Sequence, residues 1–266
     1  MTTAAALVKR GHAQVNGISL YYEVHGAGQG TPLVVLNGGG STIEVTYGAA
    51  LPLLAQKRVV VALDEQNHGR SGHRTVPERF TDSADDVAAL IRQLGLQKVD
   101  VMGFSNGGSV AVQLAIRHRA LVRKLVLVSA LTKRSGAPAQ FFEHMQRVTF
   151  ADMPQPLKDA FLKVNPDQAL LVDMFEKDAE RMRNFVDMRD EDVRAVDAPT
   201  LVVAADRDVS TSEHALEISR LMPNARLMIL PGEHGECLGE MLGGKSSSPY
   251  PEVTLKLVEA SLDEAR

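Results

Sequence analysis

The sequence predicts an α/β fold: a mostly parallel, twisted sheet of about eight strands flanked by helices. Three observations carry this. Short apolar runs recur along the chain, amphipathic stretches separate them, and most runs are β-branched without the polar alternation of a half-exposed strand. The 266 residues fit one large domain or a domain with an inserted subdomain, because single cores stop growing near about 250–300 residues.

A first strand is expected before Gly17, followed by strands over 19–24, 32–36, 58–63, 99–104, 124–129, 200–204 and 226–230. Residues 82–94 read as a helix, because Val87, Leu90, Ile91 and Leu94 share one face and Gly95 ends it. Residues 106–119 read as another. The alternation then stops. Between Leu131 and Asp197 there is no strand-like run, phenylalanine and methionine accumulate, and Leu171, Met174, Phe175, Met182, Phe185 and Val186 fall at helical spacing. The expected organisation is a core of residues 1–130 and 198–266, with residues 131–197 forming a helical lid inserted after the sixth strand. The plainer alternative is a helix that only covers the core. Residues 243–251, rich in Gly, Ser and Pro, are expected to form a surface loop.

Apolar residues make up 44% and charged residues 23%, enough to bury a core without disulfides or metals. A net charge of −4 without blocks of like charge gives no reason to expect nucleic acid or an anionic membrane as partner. A small molecule is the expected substrate. Cys237 is the single cysteine and forms no intrachain disulfide. At the start, Lys9 and Arg10 follow a very short apolar run, the reverse of a secretory signal. With no apolar run near the roughly 20 residues of a membrane span, a cytoplasmic protein is expected.

Val99-Asp100-Val101-Met102-Gly103-Phe104-Ser105-Asn106-Gly107-Gly108 places G-x-S-x-G between a predicted strand and a predicted helix. Chemistry requires that context. A nucleophilic serine must sit on a strained strand-to-helix turn, and small residues two positions either side let strand and helix approach. The helix N-terminus then favours developing negative charge. Ser105 also needs a base. His12 and His25 flank early strands, His118 ends a helix, His144 and His214 lie in helical stretches where a solvent-facing histidine is ordinary, and His73 sits in a polar loop. His234, in the loop after the last predicted strand, can reach across the sheet edge. The order Ser, acid, His requires a carboxylate between them after a strand, and Leu201-Val202-Val203-Ala204-Ala205-Asp206-Arg207-Asp208 supplies two.

With these motifs the chain resembles the α/β-hydrolase superfamily, from about Gly17 to the final helix, as a small serine esterase-like member with a helical lid. The resemblance implies an acid three residues after a strand-end glycine. Ala205 occupies the glycine position, which points to Asp208, with Asp206 as the alternative. Asp64-Glu65-Gln66-Asn67-His68-Gly69-Arg70-Ser71 resembles the family's D-x-x-G-H-G-x-S turn, with Asn67 replacing the first glycine, and implies a structural His68. The oxyanion hole needs two preorganised donors. The resemblance implies the backbone N–H of Asn106 and that of Gly39, in Leu36-Asn37-Gly38-Gly39-Gly40, where Asn37 replaces the family's histidine and Gly38 is the alternative donor.

Gly239-Glu240-Met241-Leu242-Gly243-Gly244-Lys245-Ser246 matches the phosphate-binding pattern G-x-x-x-x-G-K-S, but a P-loop must leave a strand and open a helix. Here Ser247, Ser248, Pro249 and Pro251 follow, so nucleotide binding is rejected. No His, Cys and carboxylate cluster has metal-ligand spacing, so neither metal nor cofactor is expected. The expected function is a serine hydrolase that cleaves a small carboxylic ester or lactone through an acyl-enzyme on Ser105. Phe141, Phe142, Phe150 and Met153 in the lid point to an apolar acyl or alcohol group. The same residues would also serve a carbon–carbon bond hydrolase, a cofactor-free perhydrolase, or a small-molecule receptor with slow turnover.

Overall fold

The computed structural model describes residues 7–243 and 248–265. Eight strands form one sheet: β1 Leu7–Val15, β2 Ile18–His25, β3 Leu33–Leu36, β4 Val60–Leu63, β5 Val99–Phe104, β6 Val122–Val128, β7 Thr200–Arg207 and β8 Ala225–Glu233. Their order is β1-β2-β4-β3-β5-β6-β7-β8. The pairs β1/β2 and β2/β4 are antiparallel and every other pair is parallel. The β1/β2 hairpin closes on Asn16-Gly17, both at positive φ (44° and 84°), which matches the twist of the flanking strands.

Strands β3 and β4 are apolar at every position because both faces are covered. In β3, Val34 and Leu36 face one core with β4 residues Val61 and Leu63, whereas Leu33 and Val35 face the other with Val60 and Ala62. Helices α1 (Ile43–Tyr47) and α2 (Leu51–Leu54) cover the second face, and α3 (Phe80–Gln93) and α4 (Asn106–Arg117) the first. The chain runs from β3 outward to β4, then returns to place β5 on the other side of β3. Such a reversal opens a crevice at the carboxyl ends of the strands. Ser105 and the Gly38–Gly40 loop both sit there, directly after β5 and β3.

The segment between β6 and β7, expected as an insertion, carries α5 Ala139–Met145, α6 Gln155–Val164, α7 Gln168–Arg183 and α8 Asp190–Arg194. Helix α7 stops short of the pattern that predicted it. The chain leaves the helix at Asn184, Phe185 packs edge-on against Phe80, and Val186 is 81% exposed, so neither extends the helical stripe. Met188 N–H donates to Thr132 O (2.8 Å), which ties the segment's two ends together. Beyond that tie, Met188, Val193 and Val196 pack in the main core.

Helix α9 (Ser212–Leu221) covers the first face and α10 (Tyr250–Asp263) the second. The expected surface loop over 243–251 falls in part on residues 244–247, outside the described residues, as does the end of the rejected phosphate-loop match. The loop ends early, because α10 already begins at Tyr250 with Pro251 in its first turn. Among the described residues no helix is long and apolar enough to cross a membrane.

Candidate active site

Ser105 joins β5 to α4 at φ 53° and ψ −120°, a sparsely populated conformation that costs about 1–3 kcal/mol. The flanking glycines are required by contact. A Cβ on Gly103 would overlap the carbonyl of Gly107, and one on Gly107 would overlap the carbonyls of Leu36 and Asn37. The serine hydroxyl is thereby aimed out of the sheet while α4 begins immediately behind it.

His234, in the loop after β8, places Nε2 3.1 Å from Ser105 Oγ and Nδ1 2.6 Å from Asp208 Oδ1. The structure therefore joins Ser105, His234 and Asp208 in one hydrogen-bonded chain. Asp206 stands apart: it is exposed, and its Oδ1 accepts from Gly232 N–H (2.8 Å), holding the backbone of the histidine loop. The Phe104 ring lies 4.7 Å from the imidazole and limits its rotation. Asp208 is fully enclosed, accepting from Ser210 N–H (3.2 Å) and from the Ser129 hydroxyl. Burial pushes its carboxyl up, but His234, Ser129 and Ser210 together outweigh burial and hold it below the usual carboxylate range.

The glycines of the loop after β3 differ in their hydrogen bonding. Gly38 N–H donates to Thr46 Oγ1 (3.2 Å) and Gly40 N–H to His68 Nε2 (3.2 Å). Gly39 N–H, between them, has no partner among the described residues. Asn37 braces the loop through Nδ2 to Leu63 O (2.8 Å). His68 is buried, with Nδ1 against Gln66 O (2.8 Å), as a structural histidine would be. Asn67 keeps the turn at φ 63°, a region asparagine tolerates better than most residues.

A cavity of about 280 Å³ opens on Ser105 and His234, walled by Gly38, Gly39, Phe104, Leu157, Leu242, Glu233 and Glu240. Leu157 of α6 lines the cavity; Phe150 and Met153 pack in the same cluster as Leu157, and Phe141 and Phe142 in a second cluster. A larger cavity of about 600 Å³ lies beside α3 and the end of α7, against Phe80, Ile116 and Phe185. It contains no member of the Ser105, His234 and Asp208 chain.

A profile of the alpha/beta hydrolase fold matches residues 31–171. The chain belongs to this family. The hydrolase is 30% identical over 227 residues to the AB hydrolase superfamily protein YisY of Bacillus subtilis, across 77% of this chain and 85% of that one. It is 29% identical over 155 residues to a putative carbamate hydrolase, RutD, of Azorhizobium caulinodans, a match that spans 58% of this chain and 56% of the relative. Among solved structures it shares its fold with CarC, a serine hydrolase involved in carbazole degradation. The TM-score is 0.78 over 97% of this hydrolase and 99% of CarC, at 20% identity.

Sequence reasoning misplaced or missed several residues of the hydrolase. His214 does not face solvent: it is buried, with Nε2 accepting from Thr132 N–H (3.1 Å) and Nδ1 against Glu217 (2.9 Å). Helical spacing alone could not show this, because Gly136, which a Cβ would drive into the imidazole, comes from a distant segment. Ser129, just after β6, carries little signal, because it meets Asp208 only through the pairing of β6 with β7. Asp178 and Arg181 of α7 pair with each other at i,i+3, but their other partners, Asn106, Glu65 and Glu78, are far away in sequence and could not be read. Cys237 is buried, and burial pushes its thiol up to about 12, so it offers no thiolate.

Proposed function

We propose that this α/β hydrolase is a serine hydrolase that cleaves a small carboxylic ester or lactone. The observation that carries the reading is the continuous chain from Ser105 Oγ through His234 to Asp208, at 3.1 Å and 2.6 Å, on a strained turn. In the proposed cycle His234 Nε2 takes the proton as Ser105 Oγ attacks the carbonyl, and the negative Asp208 holds the imidazole tautomer with Nδ1 protonated. The N–H groups of Gly39 and Asn106 stabilise the oxyanion; Gly39 is preferred to Gly38 because the latter already donates to Thr46. His234 then returns the proton to the leaving alcohol, and water, activated by the same base, releases the acid. Side chains and water carry every proton transfer.

The proposed roof is the inserted segment, here represented by Leu157 over the cavity. About 280 Å³ with apolar walls suits a short apolar acyl group. Two acidic residues line the cavity, Glu233 and the buried Glu240, and their charge disfavours a substrate that itself carries a carboxylate. The deciding experiment pairs labelling by a fluorophosphonate with steady-state kinetics on an ester and lactone panel. Labelling of Ser105 and a loss of at least about a thousandfold in Ser105→Ala are expected. Unchanged turnover in a folded Ser105→Ala protein would overturn the reading. A burst without steady turnover would favour a receptor, and faster cleavage of vinylogous diketones than of esters a carbon–carbon hydrolase.

A further inference from the structure

Helix α7 reaches the nucleophile through one carboxylate. Asp178 Oδ1 accepts from Asn106 Nδ2 (3.1 Å) and from Arg181 Nη2 (2.5 Å). Asn106 is the residue directly after Ser105, and its side chain also lies against the loop after β3. A Cβ on Gly39 would overlap both Asn106 Nδ2 and Asp178 Oδ2. The carboxylate therefore sits where the two proposed oxyanion donors, Gly39 and Asn106, meet.

An uncompensated negative charge there would oppose the oxyanion, because like charges a few ångströms apart repel strongly in a poorly screened site. Arg181 supplies the compensation. It is buried, it gives Nη1 to Glu78 (2.8 Å) and Glu65 (3.3 Å) as well as Nη2 to Asp178, and its guanidinium lies 4.6 Å from the Phe80 ring centroid. Held from three sides, Arg181 fixes the direction in which Asp178 points. Asp178 in turn fixes the Asn106 amide. The absence of a side chain on Gly39 is what allows this junction to close.

We propose that Asp178 is a positioning residue for the oxyanion hole: it clamps the Asn106 side chain against the Gly39 loop, with Arg181 as its counter-charge. The inference rests on Ser105 acting as the nucleophile. Its consequence is that α7, although part of the inserted segment, belongs to the catalytic frame and not to the roof.

The test uses the full chain, with ester kinetics, the rate of Ser105 phosphonylation by a small fluorophosphonate, and thermal unfolding. Asp178→Ala removes the clamp, whereas Asp178→Asn keeps an acceptor oxygen for Asn106. Asp178→Ala should lower kcat by about 10–100-fold with KM within about twofold, because a small misplacement of oxyanion donors acts on the transition state. Phosphonylation should slow by a similar factor. Asp178→Asn should recover to within about threefold of the parent, and Asn106→Ala should reproduce the loss without adding to it in the double variant. If Asp178→Ala does not fold, Asn106→Ala, which removes the same bond and keeps the backbone N–H, decides alone. A fall in thermal stability with unchanged kcat per phosphonate-titrated site would overturn the proposal, as would additive losses or a change in KM alone. A parent protein that the phosphonate does not label at Ser105 would overturn the serine-hydrolase reading as well, a result distinct from a labelled parent whose Asp178 variants are indifferent.

Discussion

Two carboxylates two residues apart show how far a side chain's role depends on where its strand ends. Asp206 is still in β7 and turns outward to Gly232 N–H, whereas Asp208 lies beyond the strand and is enclosed by His234, Ser129 and Ser210. Asp208→Asn should therefore lower kcat/KM on the order of a thousandfold or more by losing the tautomer of His234. Asp206→Asn keeps an acceptor for Gly232 and should lose less than about tenfold; the reverse ranking would move the acid to Asp206. The pattern of the chain named both candidates, and the family offset preferred one. Neither could show Ser129, which meets Asp208 only because β6 and β7 are neighbours. His214 provides a test in solution. Burial holds this histidine below its usual value, against the opposing pull of Glu217, so protonation favours the unfolded chain. Its contribution to stability is complete above about pH 6.5 and is lost as the pH falls from there toward the folded-state value. His68 has the opposite sign: burial lowers it, but Glu78, Asp178 and Glu65 together raise it, giving stability that is lost as the pH rises. Melting temperatures measured from pH 7.5 down to about 5.5 should thus fall less steeply in His214→Gln than in the parent. Equal slopes would show that the histidine does not titrate with unfolding.

At the scale of elements, every predicted strand forms; β3 and β4 are short apolar runs covered on both faces, whereas the edge strands β1 and β8 are half exposed. The helices were legible where a single stripe faced the core, as in α3, whose Val87, Leu90 and Ile91 are buried. They were less legible in the inserted segment. There the apolar residues divide between two separate clusters, one holding Leu157, Phe161, Leu171 and Met174 and the other Phe142, Met182 and Phe185. A stripe read along one helix cannot reveal that its lower half serves a different cluster from its upper half. This division predicts different phenotypes within one segment. Leu157→Ala opens the wall of the cavity and should shift preference toward longer acyl chains, while phosphonylation of Ser105 stays within about threefold. Phe142→Ala, in the cluster remote from the cavity, should cost about 3–5 kcal/mol of stability with no change in acyl preference. Kinetics across acyl lengths, together with denaturant unfolding, would distinguish the two. A preference shift in both variants would mean that the whole segment shapes the pocket.

For the whole molecule, the question is whether the inserted segment opens as a unit or is divided by its own anchoring. Helices α5 and α6 hold to α7 chiefly through apolar clusters, Phe142 with Met182 and Leu157 with Met174. Helix α7 adds a buried cluster in which Arg181 serves Glu65, Glu78 and Asp178, carboxylates from three separate stretches of the chain. Such a cluster adds little net stability when intact, but removing one partner strands the others in a low-dielectric interior. Arg181→Met should accordingly lose about 3–5 kcal/mol, or roughly 6–20 °C in melting temperature. Adding Glu65→Gln, Glu78→Gln and Asp178→Asn should restore much of that loss, because the stranded charges are then gone. Hydrogen exchange supplies the complementary measurement. Amides of α7 should exchange only through global unfolding, while those of α5 and α6 exchange through smaller openings that leave α7 in place. If α7 exchanges together with α5 and α6, the segment opens as one body and the oxyanion hole loses its brace each time it does. Late exchange of α7 alone would place the boundary between moving roof and fixed frame inside the inserted segment, between α6 and α7.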